Sequence, residues 1–226
     1  MNSRILLAAA LATAASLSAA DAPALPPCCP AADATPTCCD ATKSVAATSA
    51  VAPCCEEIKP AAPLSQRSLY QHDAIWTNDA NRPVRLASLR GQPVIVAMFF
   101  ASCEYACPVL VNDLQRLRAA LPAAERDRTQ IVLVSFDTAR DTPAALKAFR
   151  ARMTLDDHWT LLRGEASAVQ DLAMLLGVKF KQDARGQFAH SNLFTVLNAG
   201  GEIVHQHAGL QGDVSDAAKA VVLAAQ

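Results

Sequence analysis

No aromatic residue occurs before Tyr70; every Phe, Tyr and Trp of the chain comes from that position onward. So long a stretch without aromatic side chains, and with frequent proline, cannot bury enough apolar surface to offset chain entropy. Residues 23–67 therefore read as a disordered Ala/Pro-rich linker. Residues 68–226, about 160 in number, suffice for a single core. Excess charge of either sign is also missing, the formal net charge being −1. No basic field gathers nucleic acid or anionic lipid, so a nucleic-acid partner is not expected.

A long apolar span is lacking as well. Arg4 precedes an apolar run from Ile5 to Leu17, followed by small residues at Ser18, Ala19 and Ala20. This order is that of a secretory signal peptide, residues 1–22, with cleavage after Ala20 or Ala22. The run is shorter than the ~20 residues that span a bilayer. The expectation is an exported, periplasmic protein, associated with the membrane only if this segment stays uncleaved.

Eight cysteines in an exported chain would ordinarily form a disulfide framework. Six of them instead form three adjacent pairs, Cys28-Cys29, Cys38-Cys39 and Cys54-Cys55, inside the Ala/Pro-rich segment. Neighbouring cysteines bridge each other only through a strained ring. Vicinal thiols suit Cu(I) or another soft cation, so these six are candidate accessory metal ligands. They would collect such a cation; bridging between doublets or between molecules is the structural alternative.

Beyond residue 68 the pattern alternates between strand and helix. Val94 to Phe100 and Ile131 to Phe136 are continuous apolar runs, as expected of strands buried on both faces. Between them Pro108 opens a helix on which Leu110, Leu114, Leu117 and Leu121 recur at helical spacing. Thr142-Pro143 supplies an N-cap and first-turn proline for a helix to about Met153. A short strand is expected at Trp159–Leu162, and a helix at 166–176 closed by Gly177. A hairpin follows over 193–207, then a helix over 214–225. A second hairpin is expected around Asn78-Asp79-Ala80-Asn81. The fold class is α/β, thioredoxin-like, with a central mixed sheet flanked by helices.

FFASCEYACP sets Cys103 and Cys107 between a buried strand and a helix start. Unpaired N–H groups and the positive dipole end there favour thiolate over thiol. The pair can hold a soft metal or form a reversible, redox-active disulfide. A purely structural disulfide is the bland alternative. A peroxidase of the peroxiredoxin type would carry threonine three residues before Cys103, where Phe100 stands.

These cysteines with Pro108, then VSFDTARDTP, then HSNLFTVLNAGGEIV form an ordered set that resembles the Sco/SenC family from about Leu69 onward. The resemblance implies a thioredoxin-like fold and copper held by Cys103, Cys107 and His190. It places Asp137 beside the site as a supporting residue. The implied cofactor is copper, as Cu(I) and also as Cu(II), which an added imidazole makes tolerable. A Cys₂His set also suits Zn²⁺, but the sequence offers no general base or substrate cleft to use it. No proline follows Pro143, so the cis-proline facing the cysteines of thioredoxin-type reductases is absent.

The function so implied is delivery of copper to an extracytoplasmic acceptor, the copper A centre of a cytochrome c oxidase subunit, with a thiol reductant as second partner. Two alternatives stay open. One is a thiol-disulfide oxidoreductase that reduces the acceptor's cysteines; the other is a copper or redox sensor. His205 and His207 alternate along an expected strand and so share a face; solvent-facing residues or an accessory metal site would both fit.

Overall fold

The structure, a computed structural model, describes residues 63–184 and 186–226. The expected leader at 1–22 and the three cysteine doublets lie outside the described residues. Among those described, no helix is long and apolar enough to cross a membrane.

Six consecutive buried residues form β3 (Val94–Phe99). Successive side chains of a strand point to opposite faces, so both faces of the sheet are covered here. The same holds for β4 (Gln130–Ser135), buried from Ile131 onward. β3 pairs in parallel with β4, and β4 with β5 (Trp159–Arg163). β1 (Trp76–Asn78) and β2 (Pro83–Val84) extend one side antiparallel; β8 (Leu193–Leu197) and β9 (Ile203–Ala208) extend the other. The resulting seven-stranded sheet runs β2-β1-β5-β4-β3-β8-β9. It is the mixed sheet anticipated from the alternation of apolar runs.

Five α-helices accompany it among the described residues: α1 (Ala106–Ala120), α2 (Ala123–Arg128), α3 (Pro143–Arg152), α4 (Ala166–Leu176) and α5 (Ser215–Ala224). Leu110, Leu114, Leu117 and Leu121, the expected stripe, are all buried. α1 packs on α5, α5 on β8 and β9, and α3 on β1 and β5. The Thr142 hydroxyl accepts from the Ala145 N–H and caps α3, while Gly177 ends α4 at φ 70°.

Three expectations are corrected. α1 starts at Ala106, so Pro108 is its third residue rather than its first. The first four N–H groups of a helix have no intrahelical partner, so proline costs no bond at that depth. α2 was not anticipated, because its six residues bury nothing and carry no apolar periodicity. A small antiparallel hairpin, β6 (Phe180–Gln182) with β7 (Phe188–His190), stands apart from the main sheet. His190 ends β7.

Parallel pairing carries β3 and β4 to the same edge, with Phe99 beside Ser135. The segments that follow, 100–105 and 136–142, therefore leave the sheet side by side. The candidate site forms at that edge.

Candidate metal centre

Cys103 lies in the turn after β3, and Cys107 is the second residue of α1. Both are free thiols; Cys107 is fully buried and Cys103 retains 8 % exposure. The Cys103 Sγ accepts from the Cys107 main-chain N–H at 3.3 Å. The residue before the helix, Tyr105, makes no side-chain cap. The sulfur thus does the work of an N-cap oxygen, meeting N–H groups that would otherwise lack acceptors.

The two thiols are driven apart by this arrangement. Donation from the Cys107 thiol, aided by the N–H groups of Cys107, Tyr105 and Ala106, lowers the Cys103 pKa from 9.0 to about 5 against the effect of burial. Cys107 is pushed the opposite way, first by the hydrogen bond it gives to Cys103 and then by burial. The reduced pair is therefore one thiolate and one thiol at neutral pH.

His190 approaches from the separate hairpin. Its Nδ1 lies 3.1 Å from the Ser191 carbonyl oxygen. A carbonyl only accepts, so Nδ1 carries the proton and the Nε2 lone pair is left for a ligand. The imidazole packs edge-on to Phe100 at 6.0 Å between centroids and against Phe136 at 5.1 Å. Phe188 adds to the same wall, 5.2 Å from Phe100 and 5.0 Å from Phe136, and Phe180 stacks on Phe136 at 5.0 Å.

The ligand atoms of Cys103, Cys107 and His190 all lie within 4.8 Å of one another. Among the described residues this is the one such group of three or more His, Cys, Asp or Glu side chains. Bonds of ~2.3 Å to sulfur and ~2.0 Å to nitrogen, as at zinc, hold ligand atoms roughly 4 Å apart. Two sulfurs and one imidazole are a donor set for a soft or borderline cation, Cu(I) above all.

Asp137 is brought near the site without joining the trio. It is 1 % exposed, and its carboxylate accepts from the Arg140 main chain at 3.2 Å and from the Arg140 guanidinium. His205 and His207 share one face of β9, where His207 stacks on Phe194 at 4.8 Å between centroids. No third ligand joins them among the described residues.

Asp141 was missed by sequence reasoning. It is 2 % exposed and accepts from the Ala101 N–H at 2.8 Å and the Ser135 hydroxyl at 2.5 Å. Burial raises its pKa, and its charge adds to the upward push on Cys107. Arg163 braces the same segment, donating to the carbonyls of Asp141 at 2.9 Å and Thr138 at 3.1 Å. Arg152 holds the Ala101 carbonyl at 2.7 Å. Only the position of Asp141 inside FDTARDTP hinted at such a role, and a carboxylate there equally suits a turn.

The SCO1/SenC family model matches residues 65–225. The chain belongs to the SCO1/SenC family. A Stutzerimonas stutzeri protein described as copper-binding is 31% identical over 115 residues, 51% of this chain and 54% of its own. The chain thus spans about half the length of that relative. Among solved structures, BsSco, a member of the Sco family of cytochrome c oxidase assembly proteins, is 26% identical with a TM-score of 0.59, over 67% of this chain and 90% of its own. Bradyrhizobium japonicum ScoI with copper bound has a TM-score of 0.57 at 21% identity, over 66% of this chain and 96% of its own. At that identity the likeness to ScoI shows the fold alone, which is the thioredoxin-like one shared by these family members.

Proposed function

We propose that this protein binds copper through Cys103, Cys107 and His190 outside the cytoplasm and passes it to an acceptor protein. The acceptor we assign is the copper A centre of cytochrome c oxidase. The observation that carries the reading is the convergence of two sulfurs and one imidazole, from the β3–α1 turn, the first turn of α1 and a separate hairpin, within 4.8 Å. The copper-binding description of the Stutzerimonas relative, the copper in ScoI and the oxidase-assembly family of BsSco support it.

The chain's own residues divide the work. Cys103 is already a thiolate near neutral pH, whereas Cys107 must give up its proton, so loading releases a proton. Cys103 lines an open groove of about 540 Å³ with Ser102, Glu104, Pro108, Arg152 and Met153. Cys107 has no such access. An acceptor thiolate therefore displaces Cys103 first and Cys107 last. The His190 imidazole holds the cargo until the second exchange.

The test is copper bound per protein after anaerobic reduction, in the wild type and in His190→Ala. Tight copper in the wild type, weakened in the variant, is the expected result. Copper that is absent, or held regardless of His190, would overturn the three-ligand reading.

A second reading has its own support: a low-pKa Cys103 beside a buried Cys107 is also an attacking and resolving thiol pair. As a thiol-disulfide oxidoreductase the protein would keep its turnover when His190 is replaced. As a copper carrier it would not keep its copper.

A further inference from the structure

Among the described residues the hairpin bearing His190 pairs with no strand of the main sheet, so side-chain contacts help to fix where the imidazole stands. We infer that Arg140 is the positioning residue for His190, acting as a strap from the segment after β4 to the turn of the β6–β7 hairpin. This inference rests on the copper reading of the site and deepens it.

Four contacts carry the argument. The Arg140 guanidinium is held at one end by Asp137, through Nε, and the Arg140 main-chain N–H donates to the same carboxylate. At the other end its Nη2 donates to the carbonyl of Gly186 at 2.5 Å, the residue two before β7. Along the way the guanidinium carbon sits 5.9 Å from the centre of the Phe188 ring, a cation–π distance. Phe188 is two residues from His190 on β7 and packs on Phe100 and Phe136, the rings that flank the imidazole. The strap therefore presses the hairpin onto the aromatic wall at the point from which His190 projects.

The anchor is firm because Asp137 is itself fixed: its N–H donates to the Ser135 hydroxyl at 3.0 Å, and its carbonyl accepts from Asp141 N–H at 3.1 Å. One short segment thus serves both halves of the trio. Asp141 holds the cysteine-bearing turn through Ala101, and Arg140 holds the histidine-bearing hairpin through Gly186. The choice of arginine follows from its planar fork, which satisfies a carboxylate and a carbonyl at once; a lysine ammonium on a flexible stem is a poorer bridge. Gly186 has φ 76°, and a Cβ added there would come within 3.3 Å of the Arg140 guanidinium. The turn is shaped to admit the strap.

Residues that orient a metal-bound imidazole cost roughly 10- to 100-fold in metal affinity when removed. Cu(I) affinity should be measured by competition with a chelator, under anaerobic reduction, in the wild type, Arg140→Ala, Arg140→Lys, His190→Ala and the Arg140→Ala/His190→Ala double variant. Arg140 is 41 % exposed at its side chain but Asp137 only 1 %, so Arg140→Ala also leaves a buried carboxylate without its cation, and Arg140→Lys keeps a charge there as the control. Arg140→Ala should weaken copper by about tenfold or more, with Arg140→Lys between it and the wild type. The double variant should be no weaker than His190→Ala alone, because the effect travels through the imidazole. In the metal-free proteins, amide hydrogen exchange should rise in Arg140→Ala at Asp183 and Ser191. Their N–H groups close the two ends of the hairpin, on Gln187 and Lys179 at 2.8 Å each. Unchanged affinity in Arg140→Ala, an equal loss in the His190→Ala background, or unchanged exchange would each overturn the strap. Failure of the wild type to bind copper would instead remove the function proposed above, and the exchange measurement would still decide whether Arg140 holds the hairpin.

Discussion

The Cys107 main-chain N–H donates to the Cys103 sulfur at 3.3 Å, so the first turn of α1 is closed by a thiolate instead of an oxygen. Spacing alone does not produce this. Two cysteines four apart would both lie on a helix if the helix began before them; here it begins between them, at Ala106. One sulfur caps the helix from outside and the other is buried within its first turn. Their unequal chemistry follows from the hydrogen bond that the Cys107 thiol gives to Cys103 and from that boundary.

The pH dependence of stability should show it. Cys103 has a folded pKa of about 5 against an ordinary 9.0, so between those values the folded chain holds fewer protons than the unfolded one. Its contribution is complete above pH 9 and is lost as pH falls through 5. Cys107 is shifted upward, so its contribution is complete below its ordinary value and fades as pH rises beyond it. The reduced protein should gain stability from pH 5 to 8 and lose it above 9. Asp141, raised by burial, acts against the gain at the acid end but is common to both proteins compared. Urea unfolding under anaerobic reduction should show a smaller rise for Cys103→Ser than for the wild type. Parallel curves would mean that the Cys103 thiolate is stabilised neither by the Cys107 thiol nor by the helix end.

Asp141 gives a second test. Its carboxylate accepts from a buried N–H and a buried hydroxyl. Asp141→Ala leaves both donors without an acceptor, at a cost of about 1–3 kcal/mol for each buried group. Asp141→Asn retains an oxygen that can accept, so its loss should be clearly smaller. Chemical denaturation measures both. Equal losses would indicate that the negative charge, not the hydrogen bonds, is what the turn requires.

Much of this architecture is legible from residue pattern. β3 and β4 announce themselves as unbroken apolar runs, the α1 leucines as a stripe, and Thr142-Pro143 and Gly177 as helix ends. The strands of the small hairpin do not. Phe180 and Phe188 are apolar residues eight apart among polar ones, too few for a period to register. They are strands because their rings close on Phe100 and Phe136, contacts made across the fold. Asp141 was hidden for a similar reason: its hydrogen-bond partners come from β4 and from the turn forty residues earlier.

Two glycines should respond unequally to alanine. Gly177 has φ 70° with nothing near an added Cβ, so Gly177→Ala should cost only the left-handed conformation, about 1 kcal/mol. Gly201 has φ 81°, and an added Cβ would fall 2.5 Å from the buried Tyr70 ring. Gly201→Ala should therefore add the overpacking cost, typically a further 1–3 kcal/mol. Thermal unfolding of the two variants should rank them in that order. The reverse ranking would mean that Tyr70 shifts more freely than its burial indicates.

The His190 tautomer is the most direct check on the site's chemistry. With Nδ1 facing the Ser191 carbonyl at 3.1 Å, only the Nδ1-protonated form satisfies both groups. The other tautomer would set a lone pair against a carbonyl oxygen. Long-range proton–nitrogen correlation spectra of the metal-free, reduced protein, recorded at a pH where the ring is neutral, separate a protonated nitrogen from an unprotonated one. They should show Nδ1 protonated and Nε2 bare. Copper addition should then move the Nε2 resonance most, with Nδ1 keeping its proton. If Nδ1 proved to be the bare nitrogen, the Ser191 hydrogen bond would be absent in solution. The imidazole would then have to turn to present its donor, and the hairpin would no longer hold a ready ligand.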